Sequence, residues 1–575
     1  MTVKKSVEMS KDLINKPEQL ITEHIDIWTS AILAKSTSGR GSSKKYELYG
    51  ITKLRELILE LAVRGKLVPQ DANEEPASVL LEKLSAEKAN LIESGKVKKN
   101  KSLPKVSNDE KWFSLPSGWK WVRFGELFQV KSGNNLSKNK MKDGNIPVFG
   151  GNGITGYHNE SNVEKSTIVI GRVGYYCGSV HLTPPEAWIT DNAFFTTYDE
   201  KILFQDFVIW LLKTIDLQAN TSSTAQPVIS GSKIYPIVIP LPPIEEQKRI
   251  VAKVDELMLL CDQLEQQTEA SIEAHTTLVE VLLATLTDSA DADELAQNWA
   301  RIAEHFDSLF TTEQSIDALK QTVLQLAVMG KLVPQNPKDE PASVLLEKIA
   351  EEKEQLIKEK VIKKEKPLPA ITDDEKPFEL PQGWTWCRLP EVGELARGKS
   401  KHRPRNDPTL FAKGSIPLVQ TGDVARAENI IETYTSLYNE HGLAQSRLWP
   451  RNTLCITIAA NIADTALLGF DACFPDSVVG FLTFDKAMDI SYFDYYLRTA
   501  KNHLEDFAPS TAQKNINLEI LGSLLVPLPP LNELNSIAKK VEGLLSLCDQ
   551  LKEKIQQSQE TQVQLTDALV DRALG

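Results

Sequence analysis

Asparagine, glutamine, serine, arginine and lysine side chains on tight turns are the groups that hydrogen-bond to base edges and phosphates. Two regions of this 575-residue sequence concentrate them. The first runs from the glycine-dense GNIPVFGGNGITGYHNE at Gly144, through STIVIGRVGYYCGSV, to STAQPVIS at Ser223. Its candidate nucleic-acid contacts are Asn152, Arg172, Gln226, Ser230 and Lys233. The second holds ARGKSKHRPR at Ala396, IPLVQTGDV at Ile416 and APSTAQKNINLEIL at Ala508. Its candidates are Arg403, Arg405, Gln420, Thr421, Gln513, Lys514 and Asn515. Taken singly, each of these residues is explained equally well by turn geometry. What raises them above that reading is STAQ, which recurs in two otherwise unlike regions.

Other chemistry finds little support. There is no N/D-P-P-Y/F methyltransferase string, no phosphate-binding G-x-x-x-x-G-K-S/T loop and no convincing pair of metal-binding carboxylates. A fused methyltransferase or nuclease is therefore disfavoured, and neither a catalytic residue nor a metal ligand is assigned. His24 and His305 sit in the related strings EHID and EHFD, whose repetition points to helix packing rather than metal binding. The six cysteines include no C-x-x-C pair, which fits a reducing, cytoplasmic setting. The start MTVKKSVEMS lacks an apolar stretch, and Leu454–Phe470 is interrupted by Asn461 and Asp464, so no signal peptide or membrane span is expected.

An internal repeat must position these residues. LAVRGKLVPQ at Leu61 recurs as LAVMGKLVPQ at Leu326, and PASVLLEKL at Pro76 as PASVLLEKI at Pro341. LPSGWKW at Leu115 recurs as LPQGWTW at Leu380, and all three share an offset of 265. A second block, IPLPPIEEQ at Ile239 with LCDQLE at Leu260, recurs as VPLPPLNEL at Val526 and LCDQLK at Leu547, offset by 287. The intervening insert is thus 22 residues longer in the second copy, and the inserts show little likeness. Matching connectors imply one structural task, and unlike inserts imply different recognition tasks. TEHIDIW at Thr22 also resembles AEHFDSL at Ala303. The C-terminal helix with the N-terminal arm should then form the counterpart of the central connector, making a pseudo-two-fold molecule.

Helices should follow each insert. Ile250, Val254, Leu257, Cys261 and Leu264 alternate four and three apart, as do Ile537, Val541, Leu544, Cys548, Leu551 and Ile555. Such heptad seams suit an antiparallel helix pair; packing of each helix on its own domain is the competing reading. Pro76–Glu93 and Pro341–Lys358 read as shorter helices ending in lysine-rich linkers. The inserts read as short strands and turns, with one helix near Phe204–Ile215 in the first. Net charge is −13, which opposes phosphate binding in general. That acidity is uneven. Residues 244–300 hold thirteen acidic and three basic side chains, whereas 396–406 holds Arg397, Lys399, Lys401, Arg403 and Arg405 with no acid.

Two variable inserts between repeated helical segments, each closed by I/V-P-L-P-P and a heptad helix, resemble the specificity subunits of type I restriction-modification systems. LPPIEEQKRIVAKVDEL is the most specific string. The likeness covers nearly the whole chain, although LNELNSIAKKVEGL in the second copy departs from it, which puts the equality of the two partner-binding surfaces in doubt. The resemblance implies an α+β fold: two mixed α/β target-recognition domains separated by long antiparallel coiled-coil-like helices, with a pseudo-two-fold internal repeat. The divisions expected are 1–104, an N-terminal helical arm and connector; 105–243, target-recognition domain 1; 244–369, a central helical spacer and repeated connector; 370–530, target-recognition domain 2; and 531–575, a C-terminal spacer helix. It further implies recognition of a bipartite site in double-stranded DNA, with the helices as ruler. Two methyltransferase subunits that methylate adenine and motor-nuclease subunits would be the partners. No cofactor is expected on this chain, while S-adenosylmethionine, ATP and Mg2+ belong on the partners. A coiled-coil adaptor without DNA contact, or a specificity module of another methyltransferase-based phage-defence system, is the alternative.

Overall fold

The computed structural model describes residues 17–34, 46–93, 103–174, 176–220, 228–360, 362, 368–459, 462–501, 504 and 516–575. The chain divides into two compact units. One comprises Met1–Ser271 with Ser558–Gly575, the other Ile272–Gln557. The C-terminal segment thus joins the N-terminal unit, as the circular reading of the repeat requires.

In the first unit the connector string forms the helix Tyr49–Val63. Ile51, Leu54, Leu57, Ile58 and Leu61 fall on one face and are buried. Gly65 ends this run at φ +66°, and a β-carbon there would strike Pro116 and Trp119. Gly330 repeats the arrangement at φ +70° against Pro381 and Trp384, which explains why R/M-G-K is kept in both copies. Ala77–Glu93 and Ala342–Lys358 form the expected helices.

The first insert opens with the strand Lys120–Arg123, which pairs antiparallel with the exit strand Val238–Leu241. Between them lies a four-stranded antiparallel sheet in the order Gln129–Ser132, Ala193–Thr197, Ile168–Gly171, Val180–Leu182. A three-stranded sheet, Gly153–His158, Ile146–Gly150, Trp188–Ile189, lies beside it in sequence. The expected helix is Gln205–Thr214.

The second insert has the same closure, Thr385–Arg388 against Leu525–Leu528. Its main sheet has five strands in the order Gly393–Arg397, Val478–Thr483, Leu454–Thr457, Thr465–Leu468, Ile430–Ile431, and a four-stranded sheet accompanies it. The longer insert accommodates the added strands. The fold is α+β, with two mixed domains and long coiled-coil-like helices.

Those helices are Ile244–Asp288 and Leu531–Leu574. Ile250, Val254, Leu257, Cys261, Ile537, Val541 and Cys548 are all buried, so the heptad seams are real. Each is also tied to its own unit's connector helix by ion pairs. Arg55 of Tyr49–Val63 bonds Asp262 and Glu265 at 2.7 Å. Its counterpart Lys320, on the helix Glu313–Val328, pairs with Asp549. Within the second unit, Val279, Leu283 and Leu286 share one apolar cluster with Ile316, Val323, Ile537 and Val541. A seam at heptad spacing cannot distinguish one partner helix from two, and the structure uses more than one.

The EHID and EHFD strings fall at breaks between short helices, with Trp28 N bonded to His24 O and Leu309 N to His305 O. His305 is exposed. The strings thus mark a backbone break at which Trp28 and Leu309 pack into the core, in keeping with helix packing, while the histidine side chains themselves are half-buried or exposed. Among the described residues no helix is long and apolar enough to cross a membrane, and no cluster of His, Cys, Asp and Glu is placed to hold a metal ion.

Candidate nucleic-acid interface

Each recognition domain rests on a buried arginine. Arg123, 3% exposed, donates to Glu110 at 2.6 and 2.7 Å and to the carbonyls of Pro104, Lys105 and Pro236. Arg388, 1% exposed and 265 residues later, pairs with Glu375 at 2.9 Å and reaches the Ser523 carbonyl. One guanidinium thus joins the lead-in segment, the first strand and the exit, because its planar fork supplies five donors. The Arg123 bonds, with those from Ser107, hold the Glu110 carboxyl down at about 2.

A second junction joins the first exit helix to its connector. Trp119 Nε1 donates to Glu246 at 2.9 Å and Gln70 Nε2 donates to it at 2.6 Å. Burial nonetheless raises the Glu246 carboxyl above its ordinary value. Glu533 is raised for the same reason. Gln247 accepts from Phe204 N at 2.8 Å and donates to the carbonyls of Ile202 and Pro242. Leu534 stands at the corresponding position of the second copy, fully buried.

On the first domain the structure brings four sequence candidates together. Asn152 is exposed on the turn between Ile146–Gly150 and Gly153–His158. Ser179 Oγ donates to the Gly151 carbonyl at 2.9 Å, and Gly171 comes so near that a β-carbon there would lie 2.1 Å from Gly151 O. The next residue, Arg172, donates to Ser132 Oγ at 3.0 Å and to the Asp191 carbonyl at 3.3 Å, and its guanidinium lies 5.2 Å from the centre of the Phe194 ring. Its own carbonyl accepts from Ile229 N at 2.9 Å. That bond seats Ser230 and Lys233, which open and line the short helix Gly231–Ile234. Gln226 lies outside the described residues.

The second domain repeats part of this pattern. Ile516 N donates to the Ile458 carbonyl at 3.0 Å, so the STAQ segments lead into matching positions in both domains. Gln513, Lys514 and Asn515 themselves lie outside the described residues. Arg405 pairs with Asp476 at 2.8 Å, and Arg403 donates to the carbonyl of His402 at 2.8 Å. Asp407 accepts from Thr409 N at 2.9 Å and faces His402 at 2.8 Å, contacts that take its carboxyl down to about 2. Gln420 is exposed, with Nε2 on Ser436 Oγ at 3.0 Å, and Thr421 begins the helix Thr421–Arg426. Val419 N bonds the Cys473 carbonyl at 2.9 Å. The Arg403–Arg405 loop and Gln420 are thus both attached to Cys473–Asp476.

Sequence reasoning passed over one element. Lys138, Lys140 and Lys142 are exposed on a loop of the first domain, Lys131 is exposed on the strand that leads into it, and the run from Val130 to Lys142 holds no acid. The signal was available: Gly133 and Gly398 stand at the 265 offset, inside inserts that otherwise show little likeness.

Comparison with known proteins accords with this architecture. The chain matches the type I restriction modification DNA specificity domain twice, over residues 116–274 and 381–560. It is 39% identical to the type I restriction enzyme EcoEI specificity subunit of Escherichia coli, over 97% of this chain and all of that protein. The EcoAI specificity subunit, also of Escherichia coli, is again 39% identical over the same shares. The crystal structure of the HsdS subunit from Thermoanaerobacter tengcongensis covers 81% of this chain and 98% of its own at 18% identity, with a TM-score of 0.39. Two specificity domains in one chain and end-to-end relatives at this identity mean that the chain belongs to the family of type I restriction-modification DNA specificity subunits.

Proposed function

We propose that the two inserts read the two halves of an interrupted site in double-stranded DNA, and that the chain directs adenine methylation and restriction by partner subunits without catalysing either. The observation that carries this reading is the duplicated framework. Arg123 and Arg388 hold the same kind of support beneath two surfaces whose residues do not match. A framework kept in duplicate while its cargo diverges suits two reading heads.

The contacts assigned to DNA are Asn152, Arg172, Gln226, Ser230 and Lys233 in the first head, and Arg403, Arg405, Gln420, Thr421, Gln513, Lys514 and Asn515 in the second. Residues 105–243 and 370–530 form the heads, while 1–104, 244–369 and 531–575 supply the helical arm and spacers. Two methyltransferase subunits and the motor-nuclease subunits carry S-adenosylmethionine, ATP and Mg2+, in the cytoplasm. The chain's net charge of −13 makes its own DNA affinity modest and dependent on those partners.

Replacing residues 113–239 with the first insert of another family member tests the reading. Genome-wide mapping of methylated adenines should show one half of the site changed and the other kept. Alteration of both halves would refute independent heads.

A further inference from the structure

We propose that the loop from Gly133 to Lys142 is a phosphate-binding element of the first head, in which Lys138 and Lys140 contact the sugar-phosphate backbone of duplex DNA. The proposal rests on the reading of the inserts as DNA-reading heads, and it assigns a role to residues outside the base-reading candidates.

Placement is the first argument. The loop leaves the strand Gln129–Ser132, which pairs with Ala193–Thr197. In the second head the basic run leaves Gly393–Arg397, which pairs in the same way with Val478–Thr483. Gly133 and Gly398 begin the two loops under the same constraint. A β-carbon would lie 2.1 Å from the Ile189 carbonyl in one and 2.2 Å from the Phe474 carbonyl in the other. The lysine loop is therefore the positional counterpart of 398–405, and in both heads the loop is basic although its sequence has changed.

The second argument is where the loop is tied down. Asn134 N donates to the Ile189 carbonyl at 2.9 Å, and Asn135 Nδ2 donates to Asp191 Oδ2 at 3.0 Å. The Asp191 carbonyl also receives Arg172 and Ser132. Further along, Met141 lies over Gly156, and Lys142 N donates to His158 Nδ1 at 3.0 Å. Both ends are thus fixed to the elements that present Arg172 and Asn152. The lysines flank that surface on a braced loop, which lowers the ordering cost of a contact.

Charge selects the two residues. Lys142 lies 3.5 Å from Glu160, which offsets part of its charge. Lys138 and Lys140 begin and end a one-turn 3-10 helix held by Lys140 N on Ser137 O and Met141 N on Lys138 O, and both are exposed. A solvated charge run is the usual meaning of such lysines. In a chain of net charge −13, however, the run from Lys131 to Lys142 carries four lysines and no acid of its own. Although Glu160 faces Lys142 and Asp191 faces Asn135, Lys138 and Lys140 give the first head a local positive edge beside the candidate base contacts. Backbone contacts of this kind fix register and orientation without selecting sequence.

The test uses the full-length chain in complex with its modification subunits and compares wild type with K138Q/K140Q and K138R/K140R. Binding is measured on the duplex carrying the mapped site and on an unrelated duplex, across a salt series. Loss of two phosphate contacts makes the slope of log affinity against log salt shallower by about 2. K138Q/K140Q should show this on both duplexes, with roughly tenfold weaker binding at low salt, and should leave the methylated sequence unchanged. K138R/K140R should retain the wild-type slope. A K138Q/K140Q complex with wild-type affinity and slope, or with altered half-site letters, would overturn the phosphate assignment while the two-headed reading stood. A wild-type complex without sequence preference would instead overturn that reading and the assignment with it.

Discussion

Lys66 Nζ donates to the Leu574 carbonyl at 2.6 Å, across 508 residues of sequence. Its repeat counterpart Lys331 donates to the carbonyls of Thr287 and Ser289 at 2.7 and 2.9 Å. Thr287 precedes Leu574 by the same 287 residues that separate the two exits. Each lysine therefore closes the C-terminal end of a long helix, where orphan carbonyls and the helix dipole favour a cation. K66M and K331M should each loosen the last turn of the capped helix by about 0.3–1 kcal/mol. Hydrogen exchange would show it as faster labelling near Leu574 for K66M and near Thr287 for K331M. Uniform labelling changes along either helix would contradict a local cap.

Removing either buried arginine should cost more. R123M leaves the carbonyls of Pro104, Lys105 and Pro236 without their donor, and unsatisfied buried groups cost about 1–3 kcal/mol. Urea unfolding should show the first unit weakened and the second unchanged, and R388M should reverse that order.

The same latch predicts a pH response. Glu110 is held at about 2, below its ordinary 4.5, chiefly by Arg123. A depressed carboxyl contributes stability that is fully present above 4.5 and lost as pH falls through about 2. Acid unfolding of the first unit should therefore lose part of its steepness in E110Q. Glu246, raised by burial, acts with the opposite sign. Its contribution favours the fold at low pH and fades as pH rises through its raised value. Parallel acid titrations of E110Q and E246Q should move in opposite directions relative to wild type.

Glycine spacing predicts a head-specific defect. A β-carbon at Gly133 or Gly398 would meet backbone carbonyls at 2.1 or 2.2 Å, and backbone cannot move aside as a side-chain tip can. Overpacking of this kind costs about 1–3 kcal/mol. In DNA-binding assays G133A should weaken discrimination at one half-site and G398A at the other. Equal loss at both halves from either variant would show that these loops do not belong to separate heads.

The repeat, the helices and the closure of each insert were legible because near-identical strings such as LAVRGKLVPQ repeat a local instruction: an apolar helical face followed by a left-handed glycine. The heptad seams were legible in position but not in partner, since the spacing of Ile250 and Val254 says nothing of Arg55 on Tyr49–Val63 pairing with Asp262 and Glu265 of the same long helix. Sheet order was hidden for a related reason. Ile168–Gly171 pairs with Val180–Leu182 and Ala193–Thr197, and alternation alone does not select among neighbours. The latch escaped notice because Glu110 and Arg123 each look like ordinary surface charges until folding closes the exit over them. Within the heads, residue type and turn context single out Asn152 and Arg172 as candidates, whereas Lys138 and Lys140 become candidates only through the matched glycine that aligns the two loops.

The exchange of Gln247 for Leu534 has a thermal consequence. The first exit is secured by three directed hydrogen bonds from one amide, while the second carries a leucine buried at the same place. Apolar burial weakens on cooling, because its driving force near room temperature is largely entropic. Hydrogen bonds do not share that dependence. The seat of the second exit helix should therefore lose more of its stability on cooling than that of the first, although their frameworks are copies.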